Sequence, residues 1–518
     1  NLEDVDRIEV IRGPGATVWG ANAVNGVINV VSKSARDTQG TFLSAAGGDV
    51  HRATAVVRYG GKLDDKTFFR VDAGYQQTDD YPTANGSPAG DSWQSKQFGF
   101  RLDRYPREGT HLTWQAGTVI NQLAHDSADA YNVNTLGRWT RELSARSNVE
   151  VQAYYDRTYR KLSLEGTADT LDLTAQHTFG LGERNGVIWG AGYRWIALQQ
   201  NQLTPAFGVP RDTLHKQLFS AFVQNEFKPI PDQLTFTAGA KLEHNDSTGF
   251  EFQPSVRATF KPANNQTVWA AVARAVRTPA VAEDNPSMTV VAGPPFPGPG
   301  GGLFLPTLVG NPAIQSEVLW AYELGYRIQP TKRVSVDVAV FYNAYDRIIG
   351  LNTAVPAAFV PGVPIGAAQI PWTNAQAGHT SGGEAALTVS PVDHWRLTAS
   401  YSLVRTAIPG NRFLTSAPER QAMLRSSYDF NPQVSLDTQL RYVDRLAGDP
   451  SVGPLFPTTP AYTTADARLS WRPTARCELS LVGQNLFAKQ HPEPTPHNSG
   501  AIPSEVPRGF YSKVTWSF

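Results

Sequence analysis

Residues 334–342 read Val-Ser-Val-Asp-Val-Ala-Val-Phe-Tyr. In an extended chain Val334, Val336, Val338, Val340 and Tyr342 share one side, and Ser335, Asp337 and Ala339 take the other, which is the period-2 signature of a half-buried strand. The same alternation recurs downstream. Leu397, Ala399, Tyr401 and Leu403 oppose Thr398, Ser400 and Ser402; Leu436, Thr438, Leu440 and Tyr442 oppose Ser435, Asp437, Gln439 and Arg441; Ala465, Ala467, Leu469 and Trp471 oppose Asp466, Arg468 and Ser470. The second faces carry charge. A soluble sandwich buries one face and wets the other, and a membrane barrel turns one face to lipid and the other to a polar lumen, so alternation alone leaves both open.

The connections between such segments decide between them. Short, turn-rich ones fall near 60–66, 105–110, 141–148, 180–186, 228–234, 260–267, 328–334, 389–396, 429–434 and 471–477. Connections of uneven length lie between them, near 47–51, 79–93, 121–134, 157–167, 199–215, 245–250, 275–316, 346–379, 406–418, 444–461 and 488–507. Several of the short ones place Pro before polar residues, as in Lys228-Pro229-Ile230-Pro231-Asp232 and Asn431-Pro432-Gln433, which is turn chemistry. Ten short and eleven longer connections in alternation imply 22 antiparallel strands, the arrangement of an outer-membrane barrel. A propeller needs a self-similar repeat of about 40–50 residues, and none is found. The fold expected is therefore all-β, a 22-stranded antiparallel transmembrane barrel.

Composition agrees with that fold and excludes others. Forty-six Lys and Arg balance 46 Asp and Glu, so no net field draws the chain to nucleic acid. A lone cysteine, Cys477, makes no internal disulfide and no thiolate metal cluster. Mean hydropathy is −0.32 and no stretch has the eighteen consecutive apolar residues of a spanning helix, a test that barrel strands escape because they average an apolar and a polar face. Aromatic residues make up 10 % of the chain, as two interfacial girdles require. At the C-terminus Phe510, Val514, Trp516 and Phe518 share one face, opposite Lys513, Thr515 and Ser517; a chain ending on an aromatic inside a strand suits barrel closure, whereas a soluble chain usually frays there. The tracts 291–306 and 353–371, rich in Pro, Ala and Gly, read as irregular loops, either surface loop or part of a ligand-gathering mouth.

Residues 5–33 contain Arg12-Gly13-Pro14, Trp19-Gly20 and Gly26-Val27-Ile28-Asn29, and they resemble the end of the plug domain of TonB-dependent outer-membrane receptors. The resemblance continues in family order through Arg277-Thr278-Pro279, Asn311-Pro312 with Glu317, Tyr322-Glu323-Leu324-Gly325, Asn485-Leu486-Phe487 and the terminal aromatic strand. It implies that residues 1–37 are the last part of a plug and 38–518 the barrel, in the outer membrane of a Gram-negative bacterium. The chain opens at Asn1 with no signal peptide, TonB box or earlier plug residues, and the expectation is a truncated receptor. The function implied is TonB-coupled uptake of a metal chelate, a ferric siderophore first, with cobalamin or a passive channel as alternatives. The partners implied are the chelate, the TonB-ExbB-ExbD complex through the missing plug segment, membrane lipid, and the barrel-assembly machinery reading Phe510, Val514, Trp516 and Phe518. No enzyme activity, cofactor, resident metal or nucleic-acid partner is implied.

Individual residues follow from the same reading. The resemblance pairs the plug residue Arg12 with lumen glutamates Glu323 and Glu384; independent solvated charges are the alternative. Tyr81, Trp93, Phe304 and Trp372 are loop aromatics suited to stacking on a flat chelate, or to loop packing. Asp79, Asp80 and Asp91 lack the spacing of a calcium loop and read as solvated acids. No histidine lies between His244 and His379, where haem receptors of the family place one. Gly13-Pro14-Gly15 is not a dinucleotide turn, because Val18 stands at the third glycine position and no βαβ unit follows. No G-x-S-x-G nucleophile elbow occurs.

Overall fold

The computed structural model describes every residue except 1, 124–128, 162–163, 203–206, 210–212, 292–294, 352–357, 361–364, 410–416, 447–457 and 494–503. Twenty-two strands, from Gly40–Gly48 to Gly509–Ser517, pair antiparallel with their neighbours in one closed barrel. Closure joins the first strand to the last: Phe42 faces Ser517, Gly48 faces Tyr511, and the Phe518 N–H donates to the Thr41 carbonyl at 2.8 Å. No edge is left unpaired around the wall, which removes the liability of an open sheet.

Ten connections of two to five residues lie at one end and eleven at the other, ranging from residues 162–163 to the thirty-nine residues 278–316. Four of the eleven, 49–52, 124–128, 162–163 and 246–248, are as short as those of the opposite end. The expected loops 121–134 and 157–167 are mostly strand, because Asp129–Ser144 and Ser147–Lys161 run on past the length that spans a bilayer. Side chains hold that extension. Tyr131 stacks on Tyr159 at 4.9 Å, and the Asn132 amide donates to Asp156 at 2.6 Å and to Thr158 at 3.1 Å. Polar residues that read as loop thus act as cross-strand pairs.

A second correction concerns the two Pro-rich tracts. Their described parts form a small sheet beyond the wall, in which Leu303–Val309 runs parallel to Ile365–Pro371 and antiparallel to Thr289–Val291 and Phe296–Pro297. Ala358–Val360 pairs with Ala367–Gln369, and Phe207–Gly208 joins Thr289–Val290. Small residues permit it: a Cβ at Gly366 would lie 2.7 Å from the Phe304 ring.

The two faces of the wall differ as the alternation requires. Val57, Trp114, Phe219, Phe252, Leu324 and Leu481 are exposed on the outside, an apolar belt that none of the described residues covers. Inside, the buried groups are polar, among them Arg70, Arg101, Asp103, Asp172, Glu243 and Gln253. The core of this molecule is a hydrogen-bonded lumen, and a separate two-stranded hairpin, Val5–Arg12 with Gly26–Ser32, lies within it.

Candidate functional site

The hairpin strands are joined by residues 13–25, which carry one helical turn, Ala16–Trp19. Two glycines let this tip approach the wall. Gly13 and Gly20 have φ of +73° and +88°, the region that glycine enters without strain, and a methyl on either would overlap Oε1 of Glu323 or Glu243 respectively. The Ala21 N–H donates to Glu243 Oε2 at 2.7 Å, the Gln253 amide donates to the same oxygen at 2.8 Å, and Lys241 Nζ donates to the Val18 carbonyl at 3.2 Å. Thr17 and Ser255 share a hydroxyl hydrogen bond of 2.7 Å. Asn22 lies against the end of Gln266–Arg277: its N–H donates to the Val276 carbonyl at 2.8 Å, its Oδ1 accepts the Thr278 N–H at 3.0 Å, and its Nδ2 donates to Thr278 Oγ1 at 3.1 Å.

The other end of the hairpin is held where the chain passes into the wall. Arg58 donates to Asp4 at 2.6 Å, Arg70 donates to the Lys33 carbonyl at 3.0 Å, and Arg101 donates to Ser32 Oγ at 2.8 Å. Asp103, with no exposed surface, accepts the Ala35 N–H at 2.7 Å, Arg101 at 2.7 and 3.0 Å, Thr113 at 2.9 Å, and lies 3.0 Å from His111 Nε2. Lys513 pairs with Glu3. A buried carboxylate is stable only when its lone pairs are met in this way.

Arg12 forms an ion pair with Glu384. Glu323 does not join it: its carboxylate lies against Gly13, and Arg257 is 3.9 Å away. One of the two expected glutamates therefore meets the arginine, and the other meets the glycine beside it. Asp4, Asn22, Asp103, Lys241 and Glu243 carry most of the remaining contact and were not singled out by sequence. No spacing marks them; alternation alone could have assigned Asp103, Lys241 and Glu243 to the lumen face.

At the end with the longer connections, Arg277 fastens the root of 278–316. Its guanidinium donates to both oxygens of Glu283 at 3.0 and 3.1 Å and to Glu317 at 2.8 Å. Glu283 accepts the Ala280 N–H at 2.7 Å, and Glu317 accepts the Ile349 N–H at 2.8 Å. Arg277-Thr278-Pro279 and Glu317, distant in sequence, form one clamp, and Asn22 of the hairpin touches it at Thr278.

The four loop aromatics fall in two sectors. Tyr81 lies in the 79–92 loop, where its N–H donates to Asp91 at 2.8 Å and its carbonyl accepts the Ala89 N–H at 2.9 Å; burial, then Asp91, pushes its phenol above the usual tyrosine range. Trp93 opens the next wall strand, opposite Thr78. Asp80 accepts the Ser92 N–H at 2.7 Å, and Asp79 lies 3.8 Å from Arg52, so these acids organise the loop. Phe304 and Trp372 belong to the small sheet sector, where the Asn311 amide donates to the Trp372 carbonyl at 2.8 Å. Phe304 is only 6 % exposed; its ring fills the space over Gly366 and does not offer a face for stacking. At the C-terminus Phe510, Trp516 and Phe518 are exposed on the outer face and Val514 is partly so, with Trp516 stacked on Phe518 at 5.3 Å.

Comparison with known proteins gives a consistent set of likenesses. The family described as TonB dependent receptor-like, beta-barrel, matches residues 42–486. The iron-regulated outer membrane virulence protein of Vibrio cholerae is 23 % identical over 527 residues, covering 94 % of this chain and 76 % of that protein. The ferric enterobactin receptor PirA of Pseudomonas aeruginosa is 24 % identical over 606 residues, covering 100 % of this chain and 79 % of its own. The crystal structure of the siderophore receptor PirA from Acinetobacter baumannii superposes with a TM-score of 0.83 at 17 % identity, over 100 % of this chain and 85 % of that one.

Proposed function

The chain belongs to the TonB-dependent receptor family of β-barrels, and from that premise we propose that it is an outer-membrane receptor importing a ferric siderophore with energy delivered through TonB. Residues 1–37 are the end of its plug and 38–518 its barrel. The observation that carries this reading is the hairpin Val5–Arg12 with Gly26–Ser32, tied across the lumen to Arg58, Asp103, Glu243 and Glu384. A passive channel has no use for a second element bonded inside its own pore. A receptor does, because a scarce chelate must be held tightly outside and released inside, and those are two conformational states. The ties are hydrogen bonds and ion pairs, each individually modest in a wettable lumen, so a pull on the plug can undo them one after another.

The relatives support the cargo. The two curated proteins are named for iron regulation and ferric enterobactin, and the solved neighbour is a siderophore receptor. The exposed belt of the wall suits outer-membrane lipid, and Phe510, Val514, Trp516 and Phe518 suit recognition by the barrel-assembly machinery. Arg12, Glu384 and Glu323 serve as plug docking residues, and Tyr81, Trp93 and Trp372 are the aromatics left for contact with the chelate.

The test is uptake of radiolabelled ferric chelates by a Gram-negative host lacking its own siderophore receptors and expressing the full receptor. Uptake of a ferric siderophore that stops when TonB is deleted is the expected result. Uptake that continues without TonB, or ion conductance with no chelate uptake, would overturn it.

A further inference from the structure

Alternation assigns each side chain of the wall to the lumen or the outer face, and one sector of the outer rim is cationic. Glu384 faces the lumen, where it meets Arg12, so Ala385 faces outward together with its cross-strand partners Tyr401, Ala422 and Tyr442. His379, Arg405 and Arg420 share that face, because the register is unbroken there: Arg405 lies opposite Ser381, and Arg420 opposite Leu403. On three successive strands these basic groups are diagonal neighbours, within reach of long side chains. The wall steps in the same sense. Trp395, at the turn of its hairpin, faces Tyr428, whose strand runs on to Asn431, so with tilted strands the diagonal follows the rim.

The order of residues toward that rim is the order of a membrane boundary. Leu387, Leu424 and Leu440 are exposed on the apolar belt, and Tyr401 and Tyr442 are exposed beyond them, at the depth where amphipathic rings meet headgroups. Arg405 and Arg420 come next, both exposed, and His379 stacks on Tyr342 at 5.3 Å. Among the described residues neither guanidinium forms an ion pair. Asp444 lies opposite Arg420, but its carboxylate accepts the Tyr442 hydroxyl at 3.3 Å and the Arg445 N–H at 2.9 Å. Elsewhere on the same face Arg157 is countered, with Asp169 at 3.4 Å.

Resting on the outer-membrane reading above and not on the cargo, we infer that this sector holds a sugar phosphate of an outer-leaflet glycolipid. Arg405 and Arg420 take the phosphate, His379 flanks it, and the acyl chains lie along Leu387, Leu424 and Leu440. A phosphate monoester carries close to two negative charges at neutral pH and three strong acceptor oxygens. Planar guanidinium forks match those oxygens two at a time. A phospholipid diester offers one charge and fewer free oxygens, so it fills the same place less well.

The test is lipid retention by the full receptor folded in detergent. The receptor is incubated with deep-rough lipopolysaccharide, the same glycolipid stripped of its phosphates, or phosphatidylglycerol, and passed through gel filtration at about 50 mM and about 500 mM salt. It is expected to retain the phosphorylated glycolipid best, and less of it at the higher salt. Arg405→Gln and Arg420→Gln should each weaken retention about fivefold, and the two together more than about tenfold. Arg405→Lys with Arg420→Lys keeps the charges without the forks and should fall between, and Arg157→Gln should change nothing. Heat-modifiable migration checks that each variant is folded, and the two lipid controls test the same point without any substitution. Full retention by the double glutamine variant, or equal retention of the stripped glycolipid or of phosphatidylglycerol, would overturn the inference and leave the receptor reading standing. Density fractionation that places the receptor outside the outer membrane would overturn that reading and this inference with it.

Discussion

Glu243 and Arg12 both tie the hairpin to the wall, and their surroundings give them different weights. Glu243 is buried and accepts from Ala21 and Gln253, with Lys241 at 3.7 Å. Removing one partner of such a group leaves the other charge unpaired, at a cost of about 3–5 kcal/mol. Glu243→Ala should therefore loosen the hairpin strongly, read as earlier protease cleavage between residues 13 and 25 and as raised ion conductance, and Lys241→Met should recover part of the loss. The Arg12 and Glu384 side chains are 62 % and 36 % exposed, and a pair this wet contributes about 0–1 kcal/mol. Arg12→Ala should leave both readouts close to the unaltered receptor; an effect as large as that of Glu243→Ala would contradict this ranking. Arg12 was legible because it stands in a motif. Glu243 was not, since its importance comes from what the curvature of the wall brings to it. Tyr81 belongs to this scale too. Its phenol is raised above the ordinary value, so the folded loop holds the proton more tightly than the unfolded chain. The stabilisation is complete below the ordinary tyrosine value and is lost as pH rises through the raised one. Phenolate absorbance of the receptor, less that of Tyr81→Phe, should show one tyrosine ionising above the free amino acid.

Among the elements, the loop 278–316 and the hairpin tip share one joint. Asn22, at φ +72°, takes the place of a strand residue beside Val276 and Thr278, and through Thr278 it abuts the Arg277 clamp that closes the root of the loop. A non-glycine residue in this region carries about 1–2 kcal/mol of strain, which three hydrogen bonds offset here. Asn22→Ala keeps the strain and loses the side-chain bonds; Asn22→Gly loses the same bonds and relieves the strain. Amide hydrogen exchange across 278–316 should rise in both variants and more in Asn22→Ala. Unchanged exchange there would show that the tip and the loop are not coupled. The same region marks where reading the elements from sequence stopped. Alternation and turn residues located the wall strands, because an apolar outer face and a polar lumen impose a two-sided pattern on each. The described parts of tracts 291–306 and 353–371 form strands under no such pattern, through pairing of Leu303–Val309 with Ile365–Pro371, and pairing between remote, Pro-rich segments leaves no local signature. In 157–161 Arg157, Tyr159 and Lys161 on one side and Thr158 and Arg160 on the other give no apolar face, and cross-strand pairs such as Asn132 with Asp156 and Thr158 supplied what hydrophobic periodicity did not.

At the scale of the whole molecule, the barrel and its contents are stabilised by different means, and they should be separable. The wall closes through Gly40–Gly48 and Gly509–Ser517 without any bond from the hairpin strands, and its apolar side chains face outward. The groups that hold the hairpin, Arg58, Arg70, Arg101, Asp103 and Glu243 among them, all project into the lumen. If the hairpin is removed, water enters the pore and takes over the hydrogen bonds that Asp4, Ala21 and Ser32 made, so these charges are rehydrated and not stranded. The large penalty expected for Glu243→Ala arises only while the hairpin keeps water out. A chain lacking residues 1–34 is therefore expected to fold into the same barrel, with the heat-modifiable migration in detergent gels unchanged, and to conduct ions in planar bilayers where the intact receptor does not. Loss of the compact gel species would mean that the lumen charges need the hairpin to fold, and that the wall and its contents form one cooperative unit.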